Sequence, residues 1–203
     1  FKKVIHAVKL LLDLQKQGLY KGKVSVALTV NDQMVGQLYS FMEFFEEMGV
    51  DSVYFCFPWY IPSGTAEKMD AYFDAHFPHL ASRFAHDHKN SWHSFTFHIS
   101  PDHFDTLIEE LKRVNSRVWN VRIRYQPALE PEEVEGFIRG SEKPAMNRTK
   151  CFSISNRMDV MPDGKVNPCK FFPEFSVGNL YEDSVADIFH GEDLRKQREV
   201  LAC

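Results

Sequence analysis

Four cysteines are the residues of this 203-residue chain best able to do chemistry, and they are unevenly placed. Cys56 stands inside an apolar run, while Cys151, Cys169 and Cys203 share the last part of the chain. Between Cys151 and Cys169 lies Pro162-Asp163-Gly164, a tight-turn sequence that folds the chain back on itself. Such a hairpin brings both thiols to one end of a small sheet, and Cys203, after two short helices, can converge on the same region. Thiolates gathered on a small, loop-rich unit suit a metal or iron–sulfur site better than disulfides, for which four cysteines are too sparse. Buried, inert thiols on a hairpin are the alternative. Spacing alone leaves zinc and iron–sulfur both open, and the Cys-x2-Cys knuckle typical of zinc sites is absent.

Other candidates are weaker. Seven of the nine histidines fall between His76 and His103. His76 with His79, or His86 with His88, has a spacing that could hold zinc, but a solvated polar insert is the better explanation of the run. Thr29 and Asn31 end a strand, at the edge where α/β folds bind ligands; for Asn31 a helix cap is the favoured reading. Arg122 and Arg124 share one strand face with Asn120 and suit an anionic group if that face lines an interior. Cys56 fits inert packing.

These residues need elements to position them. Residues 1–17 read as an amphipathic helix closed by Gly18. Val24, Val26, Leu28 and Val30 alternate with polar or small residues, which predicts a strand over 23–30. A helix with Val35, Leu38, Met42 and Phe45 on one face follows, ending at Gly49. The apolar run Val53 to Ile61 reads as a buried strand, so two parallel strands flank a crossover helix. A short helix carrying Ala66, Met69 and Phe73, a polar loop over 78–91, and an alternating strand from Trp92 to Ile99 come next. Ser100-Pro101 opens a helix with Phe104, Leu107, Ile108 and Leu111; Val118 to Tyr125 reads as a strand, and Pro131 opens a short helix to about Ile138. Residues 139–150 look like a linker. Beyond it, Ile154 to Val160 and Lys165 to Cys169 read as hairpin strands, followed by helices over 184–190 and 193–202.

Composition narrows the class. The chain is 44% hydrophobic and 26% charged, with 18 phenylalanines, so a large globular core is available. A net charge of −4 argues against a nucleic-acid partner, and no apolar run reaches the ~18 residues that span a bilayer, so no membrane partner is expected. Without a signal peptide, a cytoplasmic location is expected. The sequence opens at Phe1 with Val4, Ile5, Val8, Leu11 and Leu12 already in helical phase, and Cys203 follows a helical run directly, so both ends are expected to be cuts from a longer chain.

The segment around the cysteines resembles a known family. Cys151-x12-Gly164-x4-Cys169, set in Met161-Pro162-Asp163-Gly164-Lys165-Val166-Asn167-Pro168-Cys169, is similar to the opening of the auxiliary-cluster domain of radical SAM enzymes, of the SPASM or shorter twitch type. Val177-Gly178-Asn179-Leu180 and Ser184-Val185-Ala186-Asp187-Ile188-Phe189 resemble the family's following segments, and the Arg195 to Leu201 helix leads to its next cysteine. Val24 to Asn31 and Glu47-Met48-Gly49-Val50-Asp51 are similar to parts of the family's partial barrel.

The resemblance implies an α/β fold in two parts. Residues 1–140 would form the C-terminal half of a partial (β/α) barrel with parallel strands. Residues 141–203 would form a small α+β SPASM or twitch iron–sulfur domain, built on a β-hairpin and short helices. It implies a [4Fe–4S] auxiliary cluster held by Cys151, Cys169 and Cys203, within an apolar shell of Phe152, Phe171, Phe172 and Phe175. In the SPASM pattern Cys203 serves a second cluster; in the twitch pattern it shares the first. In the complete enzyme Thr29 and Asn31 would face S-adenosyl-L-methionine (SAM) and a peptide or small-molecule substrate, with flavodoxin or ferredoxin as reductant. The Cys-x3-Cys-x2-Cys loop that binds the SAM-cleaving cluster is absent from these 203 residues, so oxidoreductase activity is expected only of the longer enzyme. A non-catalytic zinc or peptide-recognition module is the alternative.

Overall fold

The computed structural model describes residues 1–83, 89–141, 143 and 150–201. It divides into two units that are not consecutive along the chain: Phe1–Tyr60 with Phe97–Met146, and Ile61–Thr96 with Asn147–Cys203.

The first unit opens with α1 (Lys2–Lys16), which buries Val8 and Leu12. Gly18 follows it at φ +73°, the left-handed position that ends a helix without a Cβ clash. Next come β1 (Ser25–Thr29), α2 (Leu38–Met48), β2 (Ser52–Cys56), α5 (Phe104–Asn115), β3 (Arg122–Gln126) and α6 (Val134–Ile138). The three strands lie in the order β1-β2-β3 and are all parallel. Parallel neighbours require crossovers, and α2 makes the first of them.

One face of this sheet is apolar and covered. Val26, Leu28, Val53 and Phe55 join Leu38, Met42, Phe45, Leu107 and Leu111 in one core. The opposite face carries Ser25, Ala27 and Thr29 of β1 and Arg122, Arg124 and Gln126 of β3, all exposed. The apolar run from Val53 therefore does not make a doubly covered strand: Tyr54 and Cys56 are only half-buried. The ladder stops where the Phe57 N–H donates to the Gln126 carbonyl, because Pro58 has no N–H to continue it. Similarly, β3 begins only at Arg122; Val118 is 97% exposed, and Glu46 captures the Asn120 N–H. Asp51 ties the start of β1, accepting from the Val24 N–H at 2.7 Å and from Lys23 at 2.8 Å.

The second unit contains α3 (Ser63–His76), α4 (Pro78–Ala81), α7 (Ser153–Asn156), β4 (Asp159–Val160), β5 (Lys165–Asn167), β6 (Gly178–Asn179), α8 (Val185–His190) and α9 (Glu192–Val200). The three short strands are antiparallel in the order β4-β5-β6. The turn after β4 has Gly164 at φ +81°, where a Cβ would lie 2.5 Å from the Tyr181 ring. Ala66, Phe73, Phe77, Leu80 and Trp92 are buried together with Phe172 and Phe175 packed against them, so the segment 61–96 shares a core with the cysteine-bearing segment. Sequence reading groups that segment with the first section instead.

Among the described residues one expected strand is absent, Trp92 to Ile99, and another, Ile154 to Val160, is cut to its last two residues. Trp92 to Ile99 contains a 3-10 turn at Ser91–Ser94. Its alternation is overridden because carboxylates capture its polar groups: Asp70 accepts from the Trp92 indole at 2.9 Å, and Glu174 from the Ser91 hydroxyl at 2.7 Å. Ile154, expected in a strand, sits in the single turn α7, where Arg198 of α9 donates to its carbonyl.

Candidate metal centre

Cys151 precedes α7 and Cys169 follows β5, so the hairpin positions both. Asp159 pairs with Asn167 and Val160 with Val166. The ladder ends at the Asp159–Asn167 pair; Arg157, whose backbone is extended, precedes that pair by two residues and Cys169 follows it by two. Pro168 ends the ladder, and the chain turns back so that the N–H groups of Phe171 and Phe172 donate to the Cys169 sulfur.

Electrostatics agree with this placement. Burial pushes the Cys169 thiol above the usual cysteine value, and the nearby Cys151 adds to that rise. The two backbone N–H groups and the Arg157 guanidinium oppose it by favouring the thiolate. Cys151 and Cys169 are therefore close enough to feel each other's charge. Cys151 is exposed and Cys169 half-buried. Arg157 donates one hydrogen bond to Asp159, Nη2 to Oδ1 at 2.9 Å, and its Nε lies at ion-pair distance, 2.6 Å, from Oδ2.

The aromatic surroundings differ from expectation in one member. Phe152 is 61% exposed. Phe95 joins Phe171 and Phe172 instead, with ring centroids 5.9 and 5.7 Å away. Trp92 stacks edge-on to Phe172 at 5.8 Å. Phe95 and Trp92 come from a distant stretch of sequence and were not readable as part of this site; the Glu174–Ser91 hydrogen bonds hold them there.

The donor set fits an iron–sulfur group. Two thiols lie close enough for their charges to interact, one sulfur already accepts two backbone N–H groups, and the Arg157 charge favours its thiolate; thiolate-ligated clusters use such surroundings. On the same hairpin, Asn167 is 1% exposed, yet its Oδ1 has no hydrogen-bond partner. Among the described residues no set of three His, Cys, Asp or Glu is grouped to hold a metal. Cys203, the third expected ligand, lies outside the described residues, as do His86 and His88. His76 stacks on Tyr72 at 3.9 Å and contacts its carbonyl, and His79 lies 3.8 Å from Asp193.

In the first unit, Thr29 ends β1 on the exposed face, in register with Cys56 and, through it, with Gln126. Cys56 and Gln126 thus join Thr29 at the carboxyl edge, an alignment that only the strand register reveals. Asn31 is engaged as a turn former: its Oδ1 accepts the Gln33 N–H at 3.0 Å, and its carbonyl accepts from Met34 and Val35.

Residues 151–203 match the sequence model of SPASM, an iron-sulfur cluster-binding domain, which supports an auxiliary-cluster domain in this part of the chain. No curated protein and no solved structure matches the chain. No described helix is long and apolar enough to cross a membrane.

Proposed function

We propose that this chain is the part of a radical SAM enzyme that carries an auxiliary [4Fe–4S] cluster, with Cys151, Cys169 and Cys203 as ligands. The observation that carries the reading is the Cys169 sulfur, which accepts the Phe171 and Phe172 N–H groups beside Cys151 within the SPASM-matching segment. Such a cluster supplies one-electron chemistry, or an iron that anchors substrate. The chain's own residues do the rest. The N–H groups of Phe171 and Phe172 and the Arg157 charge stabilise thiolate at Cys169, and the Phe95, Phe171 and Phe172 rings exclude water from one side.

The bare sheet face of the first unit is then the interior of the half barrel, with Thr29 and Asn31 at the edge toward SAM and substrate. Asn31 shapes that edge as a turn former, with its side chain and its carbonyl both engaged in the turn. A peptide or small molecule is the substrate class, and flavodoxin or ferredoxin the reductant.

Anaerobic reconstitution with iron and sulfide tests this. Brown protein with iron and sulfide bound is expected, with binding reduced or lost in Cys151→Ser and Cys169→Ser and retained in Cys56→Ala. Colourless protein holding stoichiometric zinc would establish the zinc module instead. Lacking the Cys-x3-Cys-x2-Cys loop, these residues should produce no 5′-deoxyadenosine from SAM; measurable product would refute the assignment of SAM cleavage to a longer chain.

A further inference from the structure

Two arginines of the first unit stand apart from the rest. Among the described residues each other arginine meets a carboxylate or donates to backbone carbonyls, as Arg117 does with Glu46 and Arg198 with Ile154 and Phe189. The guanidinium groups of Arg122 and Arg124 have neither kind of partner among those residues.

Strand alternation decides where they stand. Ile123 and Tyr125 of β3 pack against the core, so Arg122 and Arg124, both exposed, lie on the bare face of the sheet. The register sets Arg122 beside Ser52 and Arg124 beside Tyr54. The Ser52 hydroxyl is taken by Ser25 at 2.6 Å. The Arg124 guanidinium lies 5.8 Å from the centroid of the Tyr54 ring, which orients the cation without neutralising it. No acidic residue occupies a bare-face position of β1, β2 or β3. The carboxylates that meet the chain just ahead of these strands, Asp51 and Glu46, are already engaged by Lys23 and Arg117. Two like charges thus stand side by side on an uncovered face with nothing to balance them, and an anion is the complementary occupant.

We propose that Arg122 and Arg124 form an anion-recognition site, and that the substrate of the complete enzyme carries a phosphate or carboxylate group that this pair binds. Residues two apart on a strand stand about 7 Å apart at Cα, so two guanidinium forks can grip one oxyanion between them. Arg124 lies one row below the carboxyl-edge row of Thr29, Cys56 and Gln126, and Arg122 lies two rows below it, which sets the anion deeper than that edge. Calling the anion part of the substrate rests on reading the bare face as a barrel interior; the anion site itself does not.

The test uses the whole chain without iron, labelled with nitrogen-15. The arginine Nε–Hε signals are followed at slightly acidic pH and constant ionic strength as inorganic phosphate or succinate is added. Saturable shifts at Arg122 and Arg124 are expected, with the ion-paired Arg139 unmoved. For exposed, solvent-screened charges, Arg122→Gln or Arg124→Gln should weaken binding about threefold, and the double variant about tenfold. Arg124→Lys keeps the charge but not the fork and should fall between wild type and Arg124→Gln. Tighter binding of phosphate assigns the substrate a phosphoryl group, and tighter binding of succinate a carboxylate. Shifts that never saturate, that Arg139 shares equally, or that both Gln variants leave unchanged would overturn the proposal. The two readings fail separately. A chain that binds the anion but forms no iron–sulfur centre refutes the cluster and supports the anion site, whereas a brown chain whose arginines ignore both anions refutes only the anion site.

Discussion

Removing the Glu174 carboxylate should loosen the attachment of segment 61–96 to the cysteine-bearing segment. Glu174 is only 5% exposed and has no ion-pair partner among the described residues; its two oxygens receive the Ser91 N–H and hydroxyl. Hydrogen bonds to a charged acceptor contribute about 1.5–3 kcal/mol each. Ser91 is half-buried and regains some hydration when its acceptor goes, so Glu174→Ala should destabilise this unit by about 3 kcal/mol rather than the full sum. Glu174→Gln keeps an oxygen for the N–H and offers an amide to a hydroxyl that can accept, so only charge assistance is lost, about 1 kcal/mol. The assay is urea unfolding followed by fluorescence of Trp92, which is adjacent to Ser91 and 1% exposed. Trp59→Phe and Trp119→Phe in the background leave Trp92 as the sole indole. A loss below about 0.5 kcal/mol for Glu174→Ala, or equal losses for the two variants, would refute the two-hydrogen-bond account.

Further outcomes follow from the same geometry. Gly164→Ala must hold a side chain at φ +81° against Tyr181 and Asn179, so it should lower the unit's stability by about 2 kcal/mol or more and weaken hairpin amide protection. Phe55→Ala, at a fully buried position flanked by the Phe41 and Tyr125 rings, should cost about 3–5 kcal/mol in denaturant unfolding of the first unit. Hydrogen bonding from Lys23 and the Val24 backbone holds the Asp51 carboxyl below its ordinary value of 3.8. Its stabilising contribution is therefore complete above that value and lost as pH falls through the lower, folded-state value. Wild type should lose stability over that acidic window relative to Asp51→Asn; parallel stability curves for the two proteins would rule the interaction out.

Local pattern in the sequence was sufficient for several elements. The alternation of Val24, Val26, Leu28 and Val30 marks the buried face of β1, and Gly49 marks the end of α2, because face and chain reversal depend on neighbours a few residues away. Likewise, Pro162-Asp163-Gly164 specifies the reversal between Cys151 and Cys169, and the surrounding residue types already point to sulfur-ligand chemistry. The same local reasoning fails where partners are remote. Trp92 to Ile99 alternates like a strand, yet Asp70 and Glu174 supply acceptors that outcompete a ladder. Ile154 has strand character, yet α9 needs its carbonyl for Arg198.

What the sequence by itself determined was the set of reactive groups, the faces of the longer elements and the turn that pairs two thiols. Only the tertiary structure decided that the Arg157 charge acts on Cys169, that Phe95 rather than Phe152 lies in the aromatic cluster, and that Cys56 and Gln126 align with Thr29. Those outcomes depend on strand register and on contacts between segments tens of residues apart. Periodicity records which face of an element is apolar; it carries no record of which distant residue will cover it.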